Sequence, residues 1–163
     1  VLFRRQRQMC IRDSFNPVVS LAFFLNKEIS FKTFLLFTLL QILGAIIGVL
    51  IANIMFDVEL FQFSNKNRSG FNIYLSEVIA TFGLVFFILI SSKDKIALIV
   101  ASYIGAAYWF TSSTSFANLA GTIGRMFSDS FAGISPENVF SFCLAQIVGS
   151  VIAFIVYKFF FKD

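Results

Sequence analysis

Histidine is absent from the 163 residues of this chain. That excludes a Ser–His nucleophile pair, an imidazole metal site and a histidine proton shuttle. The cysteines, Cys10 and Cys143, are too few and too far apart for a zinc site or a disulfide framework. Cys143 lies in an apolar run and reads as a small hydrophobe. Glu77 is the one acid in a long apolar stretch, and with Ser76 it makes no nucleophile–base pair. With no metal cluster and no phosphate loop either, the sequence supports no enzyme and no cofactor. Two asparagines remain, Asn16 in "SFNPVVS" and Asn118 in "SFANLAGTIGR", each opening a short apolar segment. Asparagine is a strong helix N-cap, because its side-chain oxygen accepts a backbone N–H that the helix leaves orphaned. The chemistry on offer is therefore non-covalent hydrogen bonding.

The surrounding elements place those asparagines in an unusual setting. Hydrophobic residues make up 58% of the chain and Phe occupies 24 positions. Charged residues are 13%, against about 25% in soluble domains, and the mean hydropathy is +0.83. A membrane helix needs about 20 apolar residues to cross about 30 Å of hydrocarbon. Four segments qualify, at residues 34–56, 72–90, 96–116 and 139–157. The segments opened by the two asparagines, 16–25 and 118–127, are half that length and read as re-entrant half-helices. Pro17 takes the favoured first position of the first one. The composition predicts an all-α, multi-pass membrane protein embedded in a lipid bilayer.

Charge supports the layout. Residues 1–14 have neither helical nor strand periodicity and lack the apolar core of a signal peptide, so they read as a leader foreign to the domain. A native basic arm is the alternative. Arg4, Arg5, Arg7 and Arg12 against Asp13 give this leader +3 of the net +4, leaving +1 for the domain at 15–163, so the basic balance implies no nucleic-acid partner. If the segments alternate across the membrane, Lys27, Lys32, Lys93, Lys95, Lys158 and Lys162 fall on one face and Lys66, Arg68 and Arg125 on the other. The first face is then cytoplasmic.

An internal repeat is also present. "NPVVSLAFFL" leads into a span with Gln41, Gly44 and Gly48, and "NLAGTIGRMF" into a span with Gln146, Gly149 and Ala153. Three crossings separate the half-helices, so they enter from opposite faces, as in an inverted-topology repeat. Under that symmetry two spans should precede the first half-helix, and the sequence predicts that they are missing. The small residues, Gly44 and Gly48 among them, read as helix-packing contacts.

The chain here resembles the aquaporin, or major intrinsic protein, family, whose mark is two Asn-Pro-Ala boxes on facing half-helices. The boxes read Asn16-Pro17-Val18 and Asn118-Leu119-Ala120. "SEVIATFGLVF" looks like the family's fourth span, and "QILGAIIG" and "QIVGS" like its third and sixth. "TIGRMFSDSFAGI" is similar to a bacterial, aquaglyceroporin-like branch linked to metalloids and small neutral solutes.

The resemblance implies a passive pore in the cell membrane, built as a homotetramer with one pore per subunit. The positive dipole ends of two half-helices would meet at its centre. Asn16 and Asn118 would offer amide N–H groups to water or a neutral solute and exclude cations. Glu77 would support the pore loop by accepting its backbone N–H bonds. Leu119 departs from the family's Pro, and Val18 from its Ala. Gly121 stands where water-selective members have Arg, and the filter His expected near residues 105–108 is absent. These losses imply a wider, less charged constriction suited to glycerol, urea or an uncharged metalloid acid. Ser115 and Arg125 are weaker candidates, Arg125 reading mainly as a solvated helix end. The rival readings are a non-conducting fragment of such a channel and a secondary transporter, which would need more intramembrane charge than Glu77 alone.

Overall fold

The computed structural model describes residues 14–92 and 94–161. The leader up to residue 13, with Cys10, and Lys93 and Lys162 lie outside the described residues. Every regular element among those described is a helix: α1 (Pro17–Leu25), α2 (Phe31–Met55), α3 (Phe71–Ile90), α4 (Ile96–Phe110), α5 (Leu119–Arg125) and α6 (Pro136–Phe161). Helices α2, α3 and α6 are long and apolar enough to cross a bilayer.

The helix ends follow from local chemistry. The Ser30 hydroxyl accepts the Thr33 N–H at 3.1 Å, so α2 starts at Phe31, three residues before the apolar segment read at 34–56. Pro136 takes the first position of α6 instead of preceding it, since its missing N–H is an orphan there anyway. Helix α4 is shorter than the segment 96–116 read from the sequence and ends at Phe110. Beyond it the Thr111 hydroxyl turns back onto the Ala107 carbonyl at 2.6 Å. Thr114, Ser115 and Ala117 then take φ of 62°, 47° and 44°. Side chains with a Cβ pay about 1–3 kcal/mol at each such position, so this course persists only if its surroundings impose it. Residues 111–117 therefore run as irregular backbone into Asn118.

Packing brings the repeat together. Helix α3 lies along α6, and Gly149 lets them touch: a Cβ there would meet Thr81 Cβ at 3.0 Å and the Phe82 nitrogen at 3.1 Å. The short helices α1 and α5 are wedged between α2 and α6. Gly124 of α5 faces the Ala45 carbonyl of α2, which a Cβ would meet at 3.0 Å. Gly44 and Gly48 make no such contact among the described residues: a Cβ at either would find open space, and Gly44 borders a cavity. Helix α4 rests on α3, where the Tyr103 hydroxyl donates to the Ala80 carbonyl at 3.0 Å. Trp109, near its end, is 84% exposed. A core of Val19, Ala22, Phe23, Val85 and Ala153 joins α1, α3 and α6.

Candidate functional site

The first turns of α1 and α5 face each other, and their asparagines are locked in a reciprocal pair. Each side-chain oxygen caps its own helix: Asn16 Oδ1 accepts the Val18 N–H and Asn118 Oδ1 accepts the Gly121 N–H, both at 3.1 Å. Each Nδ2 crosses to the other half-helix. Asn16 donates to the Ala117 carbonyl at 2.6 Å, and Asn118 to the Phe15 carbonyl at 3.2 Å. Each acceptor is the residue just before the other asparagine. An amide nitrogen carries two hydrogens, so each asparagine keeps a second donor after this exchange.

A second layer repeats the symmetry. Four residues after each asparagine comes a hydroxyl, Ser20 or Thr122, and the glutamine of the following span reaches it. Gln146 Nε2 donates to Thr122 Oγ1 at 2.8 Å, and Gln41 Nε2 to Ser20 Oγ at 3.1 Å. Gln41 also donates to the Ser14 carbonyl. The paired Gln spacing is visible in the sequence. Its link to Asn-x3-Ser/Thr is not, though that second spacing repeats as well and was available to be found.

Glu77 belongs to the second half only. It is fully buried on α3. Its carboxylate accepts the Phe116 N–H at 3.3 Å, the Ala117 N–H and the Gln146 amide at 2.8 Å. It therefore holds from one side the backbone that takes positive φ.

Arg68 holds the other side, though along the chain it counts only as a loop charge. Its residue is 6% exposed. Nε donates to the Gly133 carbonyl at 2.8 Å, Nη2 to Phe131 at 3.1 Å and Nη1 to Ser113 at 3.3 Å. Its own N–H bonds Asn138 Oδ1 at 2.8 Å. Burial lowers the guanidinium pKa and the Glu77 charge opposes that; an arginine stays charged through such a shift. The Phe116 ring carries this guanidinium at 4.8 Å and that of Arg125 at 4.1 Å from its centre. Arg125 thus lies over an aromatic face, not at a solvated helix end, because the ring's negative face attracts it.

Two cavities open on the asparagine pair. One, of about 590 Å³, is lined by Gln41 and Gly44 of α2, Ala120 and Gly121 of α5, and Asn118. The other, of about 500 Å³, is walled by Val19 and Phe23 of α1, Leu84 and Ile88 of α3, Val100 and Ile104 of α4, with Asn16 and Asn118. Both walls are predominantly apolar. Pro17, Val18 and Leu119 line neither cavity. Val18 is buried, and its carbonyl accepts the Ser150 hydroxyl at 2.7 Å. Val18 thus supports α1 from the side of α6 and not from the cavity. Ser115 is buried too, and its hydroxyl has no hydrogen-bond partner among the described residues. At Gly121 a Cβ would meet only the Asn118 side chain, at 3.5–3.8 Å, so a side chain there has room to enter the cavity. Among the described residues no group of His, Cys, Asp and Glu is placed to hold a metal.

Comparison with known proteins agrees with this architecture. Residues 13–157 match the model of the family described as Major intrinsic protein. Aquaglyceroporin AqpS of Rhizobium meliloti (strain 1021) is 41% identical over 142 residues, which is 85% of this chain and 61% of that protein. The chain thus spans about 61% of the length of the curated relative it matches. No solved structure matches it. A family match over most of the chain, on a fold with two asparagine-headed half-helices held face to face between membrane-length spans, means that the chain belongs to the major intrinsic protein family.

Proposed function

We propose that this chain is the pore-forming part of a passive membrane channel for water and small neutral solutes. The observation that carries the reading is the reciprocal asparagine pair, Asn16 and Asn118, opening onto cavities with apolar walls. A solute without charge can exchange part of its hydration for the remaining amide hydrogens and slide along apolar walls. A cation would lose its hydration shell there and meet only N–H donors and the positive ends of two helices. Irregular backbone at such a depth is tolerated where it lines a cavity.

The residues around the pair favour a solute larger than water. Gly121 borders the larger cavity with no side chain, where a water filter would place a guanidinium. The wall of α4 contributes Ala97, Val100 and Ile104, all apolar. Glycerol, urea or an uncharged metalloid acid fits such a passage, and the name of the Rhizobium relative points the same way. The apolar outer faces of α2 and α4 are suited to lipid or to neighbouring subunits, and assembly as a homotetramer in the cell membrane is part of this proposal.

Stopped-flow swelling of proteoliposomes holding the full-length protein tests it, with water, glycerol and arsenous acid compared. Solute flux that needs no ion gradient and is lost on changing Asn16 or Asn118 supports the channel. Absence of flux above empty liposomes from folded protein refutes it.

A further inference from the structure

Between α2 and α3 the chain could return across the membrane surface as a plain loop. Instead it drives one guanidinium into the protein. Arg68 is the bonding centre for segments that are otherwise separate in sequence: the 111–117 run, the turn at Phe131–Gly133, and the start of α6 through Asn138. Its planar fork explains why arginine stands here. Three carbonyls from two segments converge on different nitrogens of one group, which the single ammonium of a lysine cannot reproduce.

The target of that fork is the strained approach to Asn118. Thr114, Ser115 and Ala117 hold positive φ, so this backbone needs an imposed course. Glu77 takes its N–H groups at Phe116 and Ala117. Arg68 takes the carbonyl at Ser113, approaches the Thr114 hydroxyl at 3.4 Å, and covers the ring of Phe116. One residue further on, the Ala117 carbonyl receives the Asn16 amide. An acid and an arginine thus grip the five residues before Asn118, from Ser113 to Ala117.

We infer that Arg68 is a positioning residue of the pore: it fixes the backbone from Ser113 to Ala117, and through it the placement of Asn118 against Asn16. It touches no cavity-lining group directly, so it acts on selectivity only through that segment. The inference deepens the channel reading and depends on it for its effect on flux, while the claim about the backbone stands independently.

Arg68→Lys in the full-length protein is the test, read in two ways. Hydrogen exchange in nanodiscs should accelerate at the amides of residues 113–118 by about tenfold or more, with the interiors of α3 and α6 unchanged. In proteoliposomes the glycerol-to-water flux ratio should shift by about threefold or more, because selectivity depends on where the lining donors sit. Unchanged exchange in the 113–118 segment overturns the inference, as does a uniform rise through all helices, which marks a fold-wide role. Local loosening with an unchanged flux ratio overturns the selectivity half of it. If the lysine variant does not fold, Phe116→Leu, which removes the ring beneath the guanidinium, should give the same local exchange; failure of both to fold makes Arg68 a folding residue and also overturns it. A wild-type protein without flux refutes the channel reading, and the exchange result still decides what Arg68 does to the backbone.

Discussion

Glu77 and Gly121 show how much single residues decide here. The Glu77 carboxylate accepts two backbone N–H groups and a glutamine amide in a fully buried place. In Glu77→Gln one oxygen becomes an NH2 group, which sets donor against donor. The expected cost is about 1–3 kcal/mol, seen as a lower melting temperature in detergent and a reduced yield of folded protein. Full stability combined with loss of a pH-dependent transport activity would instead favour an ion-coupled transporter. Gly121→Arg should fold, since its Cβ meets only the Asn118 side chain. The guanidinium would enter the cavity and lower glycerol flux relative to water by about tenfold, as a charged constriction does. An unchanged ratio in swelling assays would place the constriction elsewhere.

At the scale of elements, the half-helices depend on their caps and the long helices on close approach. Leu119 occupies the first position of α5, where proline is pre-organised. Asn118 before it has φ −151° and ψ 110°, an extended conformation that a following proline favours. Leu119→Pro should therefore be tolerated or raise stability by about 0.4–1 kcal/mol, read as an unchanged or higher melting temperature. A marked drop would show that the leucine side chain packs for a purpose. Gly149→Val tests the α3–α6 contact from the other direction. Its Cβ would press on Thr81 and Phe82, and overpacking of this kind costs about 1–3 kcal/mol, measurable in the same melt. The same change at Gly48, which faces open space, should cost far less in the described fold.

For the whole molecule, the placement of its lysines predicts the orientation in the bilayer. Lys27, Lys32, Lys95 and Lys158 lie at one set of helix ends and Lys66 at the other, which predicts that the first set faces the cytoplasm. Single cysteines introduced at Lys66 and at Lys27, in a background with Cys10 and Cys143 changed to Ser, should respond oppositely to a membrane-impermeant maleimide. Lys66→Cys should label in intact cells and Lys27→Cys only after permeabilisation; the reverse pattern would invert the topology. Arg68 is no guide to that bias. Its burial takes it out of the surface charge and makes it part of the scaffold.

Much of this protein is legible along the chain because the relevant physics is local. Apolar runs long enough for a bilayer, the Asn caps and the proline at the head of α1 depend on neighbours a few residues away, and so does the recurrence of a glutamine–glycine spacing. The two half-helices and their asparagines emerge from that alone. What the sequence could not reveal depends on groups brought together from distant positions. The end of α4 at Phe110 follows from a strained course that Glu77 and Arg68 impose. That Gly149 packs while Gly48 stands open depends on which faces find a partner. The same holds for Arg68, which in sequence is a cation in a polar loop. Only tertiary structure surrounds it with carbonyls and an aromatic ring, because the cost of burying a guanidinium is offset by partners 45 to 65 residues away in the chain.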